Sequence, residues 1–299
     1  MFKKIAIFGV GLIGGSFALA LKKAGAVEQV VGVGRTAASL ARARELGIID
    51  RTGRSVEDAV RDADLVLIAA PVAQTEAILA AIEPHLQPGT VVTDAGSTKT
   101  DVAAAARKAL GKKIAQFVPG HPIAGRELNG PDAAIADLYI GKKVVLAALP
   151  ENEANDIARV AEAWRQCGAV IHRLTPENHD SIFAAVSHLP HLLAYALVDD
   201  IARKPHADLL FQYAASGFRD FTRIAGSSPE MWRDITLANR TALLAELDSY
   251  MAQLTQLRSL LVAGDGPAIE AVYANAQHAR LNWARTIEAA EKQHRQGGD

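Results

Sequence analysis

Cysteine is nearly missing from this 299-residue chain: Cys167 stands alone, so no internal disulfide can form and a reducing compartment suits it. Net charge is nearly missing as well. With 32 Lys and Arg against 33 Asp and Glu, the formal balance of −1 argues against a polybasic face for nucleic acid or a membrane surface. No secretory leader is visible, since Met1-Phe-Lys-Lys4 runs straight into a strand pattern and glycines break the apolar run that follows. No uncharged apolar run of 18 residues reads as a membrane span. These absences lead to the expectation of a soluble, cytoplasmic protein with no nucleic-acid or membrane partner. Apolar material is ample. Hydrophobic residues make up 49% of the chain and the mean hydropathy is +0.09, enough at this length for two packed domains.

The chain is organised around Ile5-Ala-Ile-Phe-Gly-Val-Gly-Leu-Ile-Gly-Gly-Ser16, which reads as a buried strand, a glycine turn and an apolar helix. Gly9, Gly11 and Gly14 have the G-x-G-x-x-G spacing of a dinucleotide-binding turn, with Leu12 and Ile13 between them. Gly9 permits the tight turn, Gly11 lets backbone approach a pyrophosphate, and Gly14 lets helix and strand close up. The pyrophosphate would rest on the helix N-terminus, whose free N–H groups favour an anion. About 20 residues on, where an NAD enzyme carries Asp or Glu for the ribose hydroxyls, this chain has Gly34-Arg35-Thr36. A guanidinium grips a 2′-phosphate that a carboxylate would repel, so NADP is the expected cofactor, with NAD as the second choice.

Strands and helices then alternate. Leu65-Val-Leu-Ile-Ala-Ala70 is a wholly apolar strand, as in a parallel sheet covered on both faces, and Ala70, Pro71 and Gln74 follow at its ligand-binding end. Thr90–Asp94 is another strand, and Ser97 lies in the loop after it. His121 sits between Gly120 and Pro122 at the end of a short strand, a rigid mounting at the same sheet edge, with Arg126 and Glu127 close behind in the loop. Strands at 143–147 and 169–173 are expected to extend this sheet, and Cys167 is read as packing. Doubly wound α/β is the economical fold for residues 1–173.

From Pro176 the strand signal stops. Asn178–Ala202 has helical periodicity, interrupted at Ser187-His-Leu-Pro-His191, where Pro190 either kinks one helix or starts another. His188 and His191 are three apart and share a face. No carboxylate or third histidine completes a ligand set beside them, so no metal site is expected. Arg219 and Arg223 flank Phe221. Leu243, Leu247, Leu254, Leu257 and Leu261 then mark an amphipathic stripe over 241–262, and a last helix runs to about 293. An all-helical domain over 174–299 with such a stripe reads as a dimerisation domain.

Five stretches together resemble the prephenate/arogenate (cyclohexadienyl) dehydrogenase family. They are Gly9–Ser16, Asp94-Ala-Gly-Ser-Thr-Lys99, Gly120-His-Pro-Ile-Ala-Gly125, Ser187-His-Leu-Pro-His191, and Asp220-Phe-Thr-Arg-Ile-Ala225 followed by Trp232-Arg-Asp234. The resemblance implies an N-terminal Rossmann domain, a helical dimerisation domain and a homodimer. It also implies NAD(P)-dependent oxidative decarboxylation of prephenate or arogenate in tyrosine biosynthesis. It assigns His121 as the catalytic histidine and Ser97 as its hydrogen-bonding partner on the ring hydroxyl. Arg223, His191, Ser187 and Asp220 fall at substrate-binding positions; Arg126 and Glu127 are expected at the substrate from their place in the loop after His121, with Arg126 standing where many members carry a small residue. Two rivals are a dehydrogenase of β-hydroxy acids and a non-catalytic NADP sensor. The first needs a catalytic lysine in the helical half, where Lys204 is the only lysine between 174 and 291.

Overall fold

The computed structural model describes residues 1–126 and 128–296, with side chains described through residue 287. Six strands make one parallel sheet: β1 (Phe2–Phe8), β2 (Val27–Val33), β3 (Arg51–Thr52), β4 (Leu65–Ile68), β5 (Val91–Asp94) and β6 (Phe117–Val118), in the order β3-β2-β1-β4-β5-β6. The helices α1 (Leu12–Lys23), α2 (Ala37–Glu45), α3 (Val56–Val60), α4 (Thr75–Ile82) and α5 (Thr100–Leu110) connect them. Alternation along each strand explains why the strands are apolar throughout. Ile5, Ile7, Leu65 and Leu67 enter one core with Phe17 and Leu21, whereas Ala6, Phe8, Val66 and Ile68 enter a second core with Leu79 and Val102. The strand order reverses between β1 and β4, which opens a crevice at the carboxyl ends of these strands.

The strands after β6 do not extend this sheet, contrary to expectation. β7 (Gly120–Pro122), β8 (Lys143–Leu146) and β9 (Val170–Arg173) form a separate sheet in the order β7-β8-β9, with β7 antiparallel to β8. Pro119, just before β7, has no N–H to continue the ladder from β6, and its carbonyl accepts instead from Ala147. The Gly120 N–H turns to the Asp94 carboxylate. Behind the small sheet, α6 (Ala154–Gln166) buries Trp164 completely. Its ring meets Phe17 and Tyr139 edge-on, with centroids 4.6 and 5.1 Å away. Tyr139 Oη donates to the Ile13 carbonyl at 2.6 Å, so this aromatic cluster braces the start of α1.

The helical part begins with α7 (Pro176–Phe183), capped by the Thr175 hydroxyl, which accepts from Asn178 N. A five-residue π-helical turn (Ala184–His188) follows and passes directly into α8 (Leu189–Ala202), with Pro190 in its first turn. Pro190 thus lies within one continuous helix from Pro176 to Ala202, and its missing N–H falls where the π turn gives way to α-helical winding. By length and composition Pro176–Ala202 is long and apolar enough to cross a membrane, which corrects the expectation that no such run exists. Its buried His179, Asp180 and His188 dock on the α/β layer. The helices α9 (Ala207–Gln212), α10 (Ser216–Thr222) and α11 (Pro229–Ala238) complete this region. Contacts join everything from Met1 to Leu243 into one compact unit, so residues 174–243 pack with the α/β layer although their composition differs from it.

A second unit starts at Leu244. It comprises most of α12 (Arg240–Ala263), a turn at Gly264 with φ +64°, and α13 (Gly266–Gln296). Within it Met251, Leu254, Leu261, Tyr273, Leu281 and Trp283 are exposed. Trp164→Ala is expected to lower unfolding free energy by about 3–5 kcal/mol, because no neighbour can fill the void between Phe17 and Tyr139. Urea unfolding measures it, and a loss below about 1 kcal/mol would contradict the bracing role.

Candidate active site

The glycine turn divides its labour by geometry. A Cβ on Gly9, whose φ is +97°, would lie 2.4 Å from the Ala69 carbonyl oxygen, and one on Gly14 would lie 2.2 Å from that of Gly9. Both positions are closed to side chains by packing. A Cβ on Gly11 would meet nothing within 4 Å and would instead fill the mouth of the crevice. Gly11 also caps α1, whose first N–H groups therefore face that space. This cradle fits a pyrophosphate, and the fit rests on backbone alone. Leu12 and Ile13 form the first turn of α1, and the Ile13 carbonyl is taken by Tyr139.

From the turn a groove of about 360 Å³ runs past Gly34, Arg35, Thr36, Ala70, Pro71 and Gln74. The crevice thus gathers predicted residues from the ends of β1, β2 and β4. Ser39 joins them, unforeseen from sequence: Thr36 Oγ1 caps α2 by accepting from Ser39 N at 3.3 Å and donates to Ser39 Oγ at 2.8 Å. The exposed Arg35 guanidinium stands 3.8 Å from Glu230 of α11. Another hollow, of about 440 Å³ between Met1, Asp64 and Arg159, lies at the amino ends of the strands and contains none of these residues.

A buried carboxylate builds the reactive corner. Asp94, the last residue of β5, accepts from Gly120 N at Oδ1 (3.0 Å) and from Gly96 N at Oδ2 (2.8 Å), and Lys99 Nζ also donates to Oδ2. Neither side chain of the Asp94–Lys99 pair is more than 1% exposed. Gly96 precedes Ser97 and Gly120 precedes His121, so one carboxylate anchors both loops. Beyond them, His121 Nδ1 lies 2.8 Å from His179 Nε2, and His179 Nδ1 lies 2.8 Å from Asp180 Oδ1. Asp180 also accepts from Lys99 N and Thr100 N, each at 2.8 Å, at the N-terminus of α5. Asn239 Nδ2 donates to the Asp180 carbonyl at 2.8 Å and faces His188 Nδ1 at 3.0 Å.

Burial disfavours charge on every imidazole here. It holds His121 well below the usual histidine range, with His179, Lys99 and His188 adding to the effect. Burial likewise lowers His179, against the opposing hydrogen bond to Asp180, and takes His188 down to about 4. Burial alone would raise Asp180, but the bonds from His179, Thr100 and Lys99 outweigh it and hold the carboxyl below its ordinary value. Neutral imidazoles therefore stand beside an ionised carboxylate.

A third group lies along α8 and α11. His191 stacks on Trp232 with ring centroids 3.5 Å apart, and its Nδ1 donates to the Ser187 carbonyl at 2.8 Å. Burial lowers His191, and the nearby Arg223 charge lowers it further. Ser187, His191 and Arg223 thus come together, with Trp232 as a floor. Asp220 does not join them: it is exposed, 3.7 Å from its neighbour Arg219. Arg126 is exposed, and Glu127 lies outside the described residues. Lys204 pairs with Asp200 at 2.7 Å on an exposed stretch. Sequence reasoning missed His179, Asp180 and Asn239 in this site. The available signal was the His179-Asp180 pair in the turn after the Thr175-Pro176 helix start.

Two family models cover this chain. One, described as the nucleotide-binding domain of prephenate dehydrogenase, matches residues 17–173, and one described as its dimerization domain matches 175–274. A cyclohexadienyl dehydrogenase from Zymomonas mobilis is 38% identical over 94% of this chain and 96% of its own. The structure of prephenate dehydrogenase from A. aeolicus in complex with hydroxyphenyl propionate and NAD+ superposes with a TM-score of 0.88. It is 35% identical and covers 94% of this chain and 98% of that one. Synechocystis arogenate dehydrogenase gives a TM-score of 0.78 at 30% identity, over 94% and 99% of the two chains.

The buried imidazoles make stability fall with acid. His188 is neutral in the fold down to about pH 4 but protonates near 6.5 when unfolded, so between these values the unfolded chain binds more protons and stability drops as pH falls. The expected loss from His188 is roughly 3 kcal/mol at pH 4, with His121 and His179 adding losses of the same sign. Urea unfolding from pH 7 to pH 4 measures it. His188→Gln, which keeps an acceptor for Asn239, should flatten the slope, and an unchanged slope would refute the assignment.

Proposed function

The chain belongs to the prephenate dehydrogenase family, and on that premise we propose that His121 and Ser97 act at the substrate's ring hydroxyl while Arg223 and His191 hold its carboxylates. The activity is NAD(P)-dependent oxidative decarboxylation in tyrosine biosynthesis, with prephenate or arogenate as the substrate. A bound nicotinamide supplies the acceptor for the hydride that leaves ring C4. His121, neutral and with Nε2 turned away from His179, takes the hydroxyl proton as that hydride leaves. CO₂ then departs from C1. Its bonding pair runs through the ring to the C4 oxygen, which recovers the proton from the imidazolium. The Ser97 hydroxyl hydrogen-bonds the same oxygen and holds it on line. The observation that supports this reading is the Asp94 carboxylate, which receives the backbone N–H groups of Gly96 just before Ser97 and of Gly120 just before His121.

The cofactor is a pyridine nucleotide, and we favour NADP. Gly34 brings no carboxylate to the ribose, whereas the Arg35 guanidinium and the Thr36 and Ser39 hydroxyls meet at the N-terminus of α2. We read residues 1–173 as the cofactor domain and 174 onward as the substrate and dimerisation domain. A homodimer would cover the apolar residues exposed on α12 and α13. A single buried cysteine and a balanced charge favour the cytoplasm.

Steady-state kinetics with both cofactors tests the first point. Arg35→Ala should raise the KM for NADP at least about 10-fold and leave that for NAD nearly unchanged, since one charge-assisted phosphate contact is lost. An equal rise for both would exclude Arg35 as the phosphate reader. The two ends of the substrate are separable in the same way. His121→Asn should lower kcat by on the order of 10² to 10⁴ with little change in KM. Arg223→Ala should chiefly raise the KM for substrate, by about 30-fold or more. A near-normal kcat in the first or an unaltered KM in the second would overturn the corresponding role.

A further inference from the structure

The His121–His179–Asp180 chain contains more information than two distances. Asp180 is the fixed end. Its carboxylate receives the backbone N–H groups of Lys99 and Thr100 and the His179 ring, and an ionised carboxylate can only accept. His179 must therefore carry a proton on Nδ1. A neutral imidazole with Nδ1–H has a lone pair on Nε2, and that atom faces His121 Nδ1 at 2.8 Å. The second ring must then donate: His121 carries its proton on Nδ1 and keeps its lone pair on Nε2. No other assignment of two neutral rings satisfies both contacts. Phe183 packs on the pair, with ring centroids 4.9 Å from His121 and 4.5 Å from His179, and the His179–Asp180 contact is buried.

We infer that His179 and Asp180 are positioning residues that lock His121 in the Nδ1–H tautomer, with Nε2 as the acceptor nitrogen, and carry part of the positive charge formed when His121 is protonated. This inference rests on the reading of His121 as the base. When Nε2 takes the substrate proton, the Nδ1–H bond to His179 strengthens, and the Asp180 carboxylate stabilises the resulting charge through the His179 ring. When the proton returns to the C4 oxygen, the chain returns to its starting state, so no proton or electron is lost or gained along it. The charged groups facing these rings are Lys99 and Asp180 from the α5–α7 junction and Asp94 from β5, with His188 from the π-helical turn. Lys99 is matched by Asp94. Asp180 is therefore the anion available to the imidazole pair. Asp180 also fixes the N-terminus of α5, the helix that directly follows the Ser97 loop. Base tautomer and hydroxyl-binding loop consequently share one anchor.

Two measurements on the full-length protein test this. The first needs no turnover. Nitrogen NMR of ¹⁵N-histidine-labelled protein, with His121 assigned through the His121→Asn spectrum, should show a protonated Nδ1 and a bare Nε2 at neutral pH. Finding the Nε2–H tautomer instead would overturn the inference whatever His121 does in catalysis. The second is the pH dependence of kcat at saturating prephenate. His179→Phe keeps a ring against Phe183 but removes the acceptor, so kcat should fall by about 10²-fold at constant KM. The acid limb should also move to lower pH, because the imidazolium loses its partner. His179→Gln, whose amide oxygen can accept from His121 Nδ1, should recover most of the loss. A merely structural role predicts instead a reduced folded fraction with the acid limb unmoved, and that result, or a failed glutamine rescue in a folded variant, would refute the relay. A normal kcat in His121→Asn would sink the base assignment alone and leave the tautomer measurement standing.

Discussion

The Asp94 carboxylate, buried beside Lys99 at the end of β5, is the contact on which the reactive corner depends. Taking this pair out of water is expensive, and an apolar pair of similar size would often be no less stable. Such a pair could not, however, receive the Gly96 and Gly120 N–H groups. The carboxylate does so with both oxygens and so fixes the spacing between Ser97 and His121 from outside either loop. Lys99 closes the arrangement from both ends: its ammonium answers Asp94 while its backbone N–H answers Asp180. One residue thus ties the sheet edge to the first helix of the helical region.

The chemistry at this edge follows from water exclusion. Phe183, Trp232 and the histidine side chains leave little solvent at the imidazoles, so all of them are neutral where an exposed histidine would be partly charged. A neutral ring can accept a proton, and a desolvated one is a fixed dipole that needs no reorganisation when charge develops beside it. The cofactor end is built on the opposite principle. Arg35, Thr36 and Ser39 stand at an open groove, where an exposed cation and a helix N-terminus face solvent.

Much of this was legible in the chain. The close packing of Gly9 and Gly14 and the open space at Gly11 follow their spacing, and Arg35 lines the groove at the end of β2. The prolines and glycines around His121 announced a rigid loop. The rest was hidden for physical reasons. His179 and Asp180 are 58 and 59 residues beyond His121, and no local pattern marks a pairing made across two packed elements. The separate β7-β8-β9 sheet was missed because strand periodicity gives no partner, and only the missing N–H of Pro119 hints at the break. The two family models divide where composition changes, at 173 and 175, while buried polar contacts from α7 and from Asn239 pack residues up to 243 in one compact unit with the α/β layer.

The π-helical turn over Ala184–His188 gives the helix an unusual phase. Each residue of an α-helix advances about 100° around the axis, and a π turn accommodates one more residue than α-helical winding would in the same length. His188 and His191 meet the same indole in different ways: His191 lies flat on Trp232, while His188 meets it edge-on with ring centroids 6.1 Å apart and faces Asn239. Removing a single residue from the turn would let ordinary winding resume and swing all of α8 by about 100°, carrying His191 away from its indole. The segment therefore behaves as a length standard.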